Sequence, residues 1–266
     1  MEKKLFRTFT RPVPTVARRL MAVCYRHMTT YSRNFFTNSF GVVLEPLIFF
    51  MAVGWGLASA IGSIDGVPYL VFLVPGQIMT SVVYSVAFET SYGTYFRLEM
   101  DHNYDSMMVT PLGVSDIFWG ELLYVGARAS FFSTIPLIIF WVWGLILSPW
   151  AVLVPLVCFF TAIAIGSLGL FANRLVKSLN QFNFFVSGLI APLLLFSGTL
   201  FPIDKIPKAV ALVMAWMPLY PSVNLCRMLT TGHFRPDVWV TLVYVVLVPW
   251  PLGYLGVKCI RPKLIK

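Results

Sequence analysis

The sequence predicts an all-α polytopic membrane protein with six transmembrane helices. Of its 266 residues, 58% are apolar and only 12% are charged, whereas a soluble domain carries about 25% charged residues. This composition excludes an ordinary soluble domain and an intrinsically disordered chain. Six apolar runs each exceed the roughly 20 residues that a helix needs to cross about 30 Å of hydrocarbon. The predicted spans cover residues 35–61, 69–95, 113–147, 150–172, 181–201 and 238–257.

Basic residues are distributed unevenly between the segments that connect these spans. Because loops rich in Lys and Arg stay in the cytoplasm, the uneven distribution predicts a multi-pass inner (plasma) membrane protein with both termini in the cytoplasm. Fifteen of the 20 Lys and Arg fall on the face that holds both termini, in segments 1–34, 96–113, 173–180 and 258–266.

This orientation divides the chain into three parts. Residues 1–34 form a cytoplasmic lead and a surface helix, residues 35–258 form the transmembrane domain, and residues 259–266 form a basic cytoplasmic tail.

The residues before the first span predict a helix that lies along the membrane surface. Between residues 15 and 33, apolar side chains recur on one arc of a helix and arginines occupy the other arc. Such a helix buries its apolar arc in lipid and points its arginines toward phosphates and the cytosol. Basic charge can also indicate nucleic acid, but its position beside apolar spans favours anionic lipid as the partner. The arginines are Arg18, Arg19, Arg26 and Arg33.

No motif predicts catalysis or cofactor binding by this chain. It has no G-x-x-x-x-G-K-[ST] loop, so we expect it not to bind or hydrolyse ATP. It also has no H-E-x-x-H, no G-x-S-x-G and no cluster of His, Cys and carboxylates at the spacing of metal ligands. We therefore expect a protein that is not an enzyme and holds no metal.

The polar segment between spans two and three predicts a short amphipathic helix over residues 97–110, which Pro111 ends. A pliable methionine-rich stripe beside carboxylates suits docking to a soluble partner. A solvated connecting loop fits the pattern equally well. The residues concerned are Glu99, Met100, Asp101, Tyr104, Asp105, Met107 and Met108.

A longer segment, 202–237, separates spans five and six. Its apolar stretch Ala209–Tyr220 is too short to cross a membrane and is bounded by prolines, which predicts a short re-entrant or surface helix followed by a polar return. It could cap an exit path or act as a structural plug.

Four charged residues fall inside the predicted spans, where a charge is costly and usually faces the bundle interior or water. They could line a polar path that accepts a headgroup, or they could form an interhelical network that fixes packing at a dimer interface. For the carboxylate that precedes Pro46 the network is favoured, because a backbone group freed by proline needs a partner. Both alternatives stay open for the other three. The four residues are Glu45, Glu89, Glu121 and Arg128.

Several motifs occur together over most of the chain: Glu45-Pro46, Gly54-Trp55-Gly56, Phe72-Leu73-Val74-Pro75-Gly76, Thr110-Pro111, Ser197-Gly198, Phe201-Pro202, Ile206-Pro207, Met217-Pro218-Leu219 and Arg227. In order and spacing they resemble the membrane subunit (permease) of type-2 ABC exporters. The branch they resemble most includes the lipooligosaccharide (nodulation-factor) and multidrug exporters. One departure is the acidic segment near residue 100, where similar proteins often carry more Arg.

The resemblance implies a partnership that composition does not show. Two copies of the chain would form the pathway, and a separate cytoplasmic ABC ATPase subunit holding ATP and Mg would bind to each copy. Residues 97–110 would be the coupling helix seated in that ATPase, and residues 203–220 would form short outer-face helices. The cargo would be amphipathic: a lipid-linked saccharide, a glycolipid or a hydrophobic drug. The alternatives are an ATP-independent ion-coupled transporter or channel, and a non-transporting membrane scaffold.

Overall fold

The computed structural model describes residues 14–64, 66–200, 202 and 207–264. Predictions that concern the basic lead before Pro14, Phe201 and Ile206 therefore lie outside the described residues.

The structure confirms an all-α architecture. Six helical spans are long and apolar enough to cross a membrane. In chain order, spans one to six are Ser39–Ile61, Tyr69–Met100, Val114–Val142, Pro149–Leu175, Leu179–Phe196 and Val238–Leu264.

Several of the spans are built from more than one helical segment. A short antiparallel pair, β1 (Ser63–Ile64) and β2 (Val67–Pro68), joins spans one and two. Wider π-helical turns occupy Phe50–Trp55, Glu89–Gly93, Phe96–Met100 and Val186–Ile190, and 3-10 turns occupy Pro149–Leu153 and Leu179–Gln181. The α-helices are α1 (Val16–Ser32), α2 (Phe35–Phe49), α3 (Gly56–Ile61), α4 (Tyr69–Phe88), α5 (Asn103–Met108), α6 (Val114–Val142), α7 (Val154–Leu175), α8 (Phe182–Phe185), α9 (Ala191–Phe196), α10 (Lys208–Ala215), α11 (Leu219–Thr231), α12 (Val238–Leu247) and α13 (Pro249–Leu264).

Spans two and four form the centre of the bundle, and spans one and five lie at its edge. About 72% of the most apolar window of span two is buried and 61% of that of span four, against 17% for span one and 28% for span five. Spans one and five therefore present most of their apolar surface outward, to lipid or to another chain.

The polar segment after span two differs from the single helix predicted over residues 97–110. Span two stays helical through Arg97 to Met100, and the separate helix α5 begins only at Asn103. His102 makes the break, because its φ of 49° is left-handed and cannot continue an α-helix.

The segment between spans five and six also differs from prediction. One short helix was predicted over Ala209–Tyr220, followed by a polar return, whereas the structure has α10 and then the buried helix α11. The polar residues of α11 find internal partners: the Arg227 guanidinium donates to the Gly198 carbonyl at 2.7 Å and lies 3.8 Å from the centre of the Phe72 ring. This anchoring makes the segment part of the core.

Close contact between span two and the turn after span five requires a glycine at residue 76. A Cβ at Gly76 would overlap the backbone carbonyl group of Thr199, so no other residue fits there without a backbone shift. The motifs Pro75-Gly76 and Ser197-Gly198, which are far apart in sequence, therefore meet in the fold.

The surface helix α1 has the predicted extent, and part of its apolar arc packs against span three. Its buried residues Val23 and His27 face span three, and the His27 ring stacks on Tyr124 with ring centres 5.2 Å apart. The Arg19 guanidinium donates to the Asp116 carboxylate at 2.7 Å, which also caps the start of α6 by accepting the Gly113 N–H. Helix α1 is thus fixed to span three.

The burial of His27 predicts a pH-dependent attachment of α1. Burial lowers the pKa of His27 from 6.5 to about 4, so folding disfavours the protonated ring. Its contribution to stability is complete above pH 6.5 and is lost as the pH falls toward 4. Between pH 7 and pH 5 we expect the chain to lose about 2 kcal/mol through this residue, measured as the fall in thermal stability of wild type compared with His27→Phe.

A matched control is His233→Gln, because His233 is exposed. If His27→Phe and wild type lose stability equally between pH 7 and pH 5, His27 does not control this attachment.

Candidate functional site

A network of alternating charges joins spans two and three near the end of the bundle that carries α1. Arg97 stands at its centre and donates to the Glu89 carboxylate at 2.7 Å and to the Glu121 carboxylate at 2.5 Å. Arg128 donates to the second oxygen of Glu89 at 2.6 Å. The network therefore contains two cations and two anions, and its net charge is zero.

Glu121 is the most deeply buried member of the network. It is fully buried, and its oxygens accept hydrogen bonds from Arg97, from the Thr94 hydroxyl and from the Tyr104 hydroxyl, the last at 2.6 Å. A buried carboxylate with a cationic partner and hydroxyl donors is a stabilised ion rather than an uncompensated charge. For Glu121 the structure thus favours the interhelical network over the polar path.

Helix α5 enters the same network from outside the spans. Tyr104 is fully buried, donates to Glu121, and accepts a hydrogen bond from Arg97 at 3.2 Å. Burial, reinforced by the neighbouring Glu121 carboxylate, raises the pKa of the Tyr104 phenol well above its ordinary value, so the hydroxyl remains a donor. A shift of α5 must therefore move or break hydrogen bonds to Arg97 and Glu121 inside this end of the bundle.

The seven residues predicted to face a partner divide into two groups. Tyr104 and Met107 are buried against the chain itself, and Glu99 is half-buried and pairs with Lys263 at 3.2 Å. Four side chains remain exposed on the outer surface of α5 and the turn before it, and we call these four the α5 surface: Met100, Asp101, Asp105 and Met108.

The four arginines of α1 divide in a similar way. Arg18 and Arg33 are exposed. Arg19 pairs with Asp116, and Arg26 donates to the Asn103 side chain at 2.9 Å at the start of α5. Two of the four thus bind protein rather than lipid phosphates, and they hold α1 against α5 and span three.

A cavity of about 830 Å³ lies beside this network. Its walls come from spans one, two and five, with Arg128 added from span three. The volume falls in the range of about 300–1,000 Å³ that is typical of ligand sites. Three of the four charged residues predicted for a translocation path line it, namely Glu45, Glu89 and Arg128.

Glu45 differs from the other charged residues of the cavity. Its side chain is exposed, and it forms no hydrogen bond or ion pair with any described residue. The packing partner favoured for it in the sequence is therefore not found within the described part of the chain, although Pro46 beside it is buried.

Sequence reasoning missed two residues of this site. The sequence pattern places Arg97 in the polar segment after span two. In the structure it lies on the same helix as Glu89, eight residues or little more than two turns further on. Gln77 lines the cavity and is only 3% exposed, and an amide within an apolar run was the available signal. Among the described residues, no group of His, Cys, Asp and Glu is placed to hold a metal ion.

Removing the central cation should destabilise the fold strongly. In Arg97→Gln, Glu89 keeps Arg128 but Glu121 loses its only cation, and breaking a buried pair in this way costs about 3–5 kcal/mol. We expect a correspondingly large fall in thermal stability in nanodiscs, partly restored in Arg97→Gln/Glu121→Gln, where cation and anion are both removed.

Arg174→Gln serves as the matched control, because Arg174 is an exposed cation at the end of span four. Equal stability of Arg97→Gln and Arg174→Gln would show that the network does not support the fold.

Comparison with known proteins agrees with this architecture. The chain is 31% identical over 216 residues to nodulation protein J of Rhizobium leguminosarum bv. viciae, covering 80% of this chain and 82% of that protein. It is 29% identical over 248 residues to nodulation protein J of Neorhizobium galegae, covering 91% and 94%. It is also 26% identical over 172 residues to the inner membrane transport permease YadH of Escherichia coli, covering 62% and 64%.

The family model for ABC-2 type transporters matches residues 18–230. This match includes α1 from residue 18 onward, spans one to five, α5, the cavity and the charge network. The chain therefore belongs to the ABC-2 type transporter family and is a membrane permease of an ABC transporter.

Proposed function

We propose that this permease exports an amphipathic cargo from the inner membrane, and that a separate cytoplasmic ATPase binds to the α5 surface and drives it. The observation that carries the proposal is the continuous set of hydrogen bonds from α5 to the cavity. Tyr104 binds Glu121, Glu121 binds Arg97, Arg97 binds Glu89, and Glu89 lines the cavity beside Arg128.

The physical basis is that charge-assisted hydrogen bonds are short, directional and strong. A force on α5 is therefore transmitted to side chains of spans two and three rather than absorbed by a soft contact. Paired elements of this kind can switch between discrete arrangements as rigid bodies. ATP-driven closure of the partner would supply the force, and the cavity would open to the other side.

A second copy of the chain supplies the remaining wall in this proposal. The cavity is open in a single chain, and spans one and five beside it are the least buried. Their exposed apolar side chains suit contact with an identical chain or with the hydrocarbon tail of a cargo.

The arrangement of charges disfavours the ion-coupled alternative. A carboxylate that carries protons or ions must release its partner during the cycle, whereas Glu89 holds two arginines and Glu121 is saturated with donors. An energy source outside the chain therefore fits better than the buried carboxylates. Both termini would then lie on the cytoplasmic side with α1 and α5.

The α5 surface is tested by co-purification of the permease with a candidate ABC ATPase. In the variant Met100→Ala/Asp101→Ala/Asp105→Ala/Met108→Ala, the exposed contacts are removed while Tyr104 is kept. We expect ATPase binding to weaken on the order of tenfold or more, with unchanged thermal stability of the permease.

A matched control alters exposed residues at the opposite end of the bundle, as in His233→Ala/Phe234→Ala. Full ATPase binding by the α5-surface variant would contradict the proposed docking site, and failure of any ATPase to bind wild type would contradict the proposed function.

The hydrogen bond between Tyr104 and Glu121 is tested separately by Tyr104→Phe. The ring and the α5 surface remain, so the ATPase should still bind. A hydrogen bond to a charged group contributes about 1.5–3 kcal/mol, and its loss should weaken transmission to the cavity. The measurement is the ATP-dependent change in maleimide labelling of Ser81→Cys in a background without native cysteines.

In wild-type complexes we expect ATP to change the labelling rate, and in Tyr104→Phe complexes we expect the change to be reduced. An unchanged response would exclude Tyr104 from the transmission.

A further inference from the structure

We propose that the cavity selects its cargo by headgroup charge: Glu45 and Gln77 form a subsite that admits an uncharged, polyhydroxylated headgroup and repels an anionic one. The inference rests on the proposed function, since it takes the cavity as the path of the cargo. It deepens that function by dividing the amphipathic molecules into those that the path accepts and those that it rejects.

The charged side chains of the cavity wall do not balance one another. Only three charged side chains line the wall within the described residues: Glu45, Glu89 and Arg128. Glu89 and Arg128 form an ion pair at 2.6 Å, and the other oxygen of Glu89 is held by Arg97. The charge left without a partner is the carboxylate of Glu45, so the wall of each chain is negative.

Glu45 lies where its carboxylate faces the cavity. A carboxylate on an exposed face of span one cannot rest against hydrocarbon, where a charge is costly. The cavity is the polar volume that this residue lines. Glu45 is therefore a charge presented to whatever fills the cavity, and a second copy of the chain would bring a second Glu45.

The amide of Gln77 lacks a hydrogen-bond partner within the described part of the protein. Its side chain is only 3% exposed and has no hydrogen-bond partner among the described residues, and it lines the cavity. Buried amides in proteins are almost always hydrogen-bonded. The partner of Gln77 must therefore be supplied from the cavity, by water in the empty state and by a polar headgroup in the loaded state.

Neighbouring residues of span two extend this polar wall. The Thr80 and Ser81 hydroxyls donate to backbone carbonyls at 2.9 Å, which leaves their oxygens free to accept. Tyr84 and Ser85 also line the cavity, and their hydroxyl groups form no hydrogen bond with described residues. Within the described residues the wall thus offers donors and acceptors, as hydroxyl groups require, and its one cation, Arg128, is paired with Glu89.

A phosphate headgroup would be repelled by the negative charge of this cavity wall. Phosphates are bound by Arg, Lys or arrays of N–H donors, whereas the positive charge of Arg128 is already neutralised by Glu89 at 2.6 Å and Glu45 leaves the wall with a net negative charge. Two charges about 7 Å apart at an effective dielectric constant of about 20 repel strongly enough to lower binding at least tenfold. The cavity would accordingly reject anionic membrane lipids and cargo linked through phosphate.

Three photoreactive amphiphiles with one diazirine-bearing alkyl chain and different headgroups test the inference: a glucoside, a phosphate monoester and a trimethylammonium. Each is photolysed with the permease alone in nanodiscs of zwitterionic lipid, and labelled peptides of spans two and five are quantified by mass spectrometry. In wild type we expect the glucoside and the trimethylammonium to label the cavity at least tenfold more than the phosphate.

Variants separate charge from hydrogen bonding. Glu45→Gln should raise phosphate labelling to near the level of the glucoside, Glu45→Lys should make the phosphate the preferred probe, and Glu45→Asp should retain the wild-type order. Gln77→Leu should reduce glucoside labelling and leave the trimethylammonium unchanged.

The inference is overturned if the phosphate labels wild type as strongly as the glucoside, if neither labels the cavity, or if Glu45→Gln leaves their ratio unchanged. The last result would mean that Glu45 pairs with a second copy of the chain rather than facing cargo. Because no ATPase is present, these outcomes are independent of whether the α5 surface binds one.

Discussion

The pairing of Arg97 with Glu89 and Glu121 is the constraint on which the site depends. Together with Arg128, which pairs with Glu89, these three residues form a set of four charges that sums to zero, and charges within a membrane-crossing bundle are tolerable only when they are balanced in this way. The pairing lets span two stay helical through a polar stretch that would otherwise end it at the membrane surface. It also brings the Tyr104 hydroxyl into the bundle and so decides where α5 lies.

Local geometry adapts to this pairing. Glu89 and Arg97 both lie in π-helical turns, and such turns often occur at functional sites because they re-aim side chains. Helix α1 packs on the outer side of this network. Arg26 donates a hydrogen bond to the Asn103 side chain, and the His27 ring stacks on Tyr124. The ion pairs and the packing contacts thus join α1, α5 and spans two and three into one connected region at this end of the bundle.

The sequence predicted the features that depend on local composition. Six apolar runs, the amphipathic period of α1 and the costly charges within spans follow from length, period and transfer energy, which need no tertiary information. The division of residues 97–110 depended on the left-handed backbone of His102 and on a distant Glu121. Helix α11 was missed because its polar residues find partners only after folding. Pairing between spans cannot be read from one sequence, since it joins residues that lie far apart along the chain.

Packing also indicates which part of the permease is able to move. Conformational change is least costly where few buried contacts must break. Span two is well buried and shares the charge network with span three, whereas spans one and five are mostly outside the core. The cavity lies between span two, with Arg128 of span three, and spans one and five. Movement of spans one and five relative to spans two and three would therefore change the cavity while preserving the ion pairs, and Glu45, carried by span one, would move with the opening.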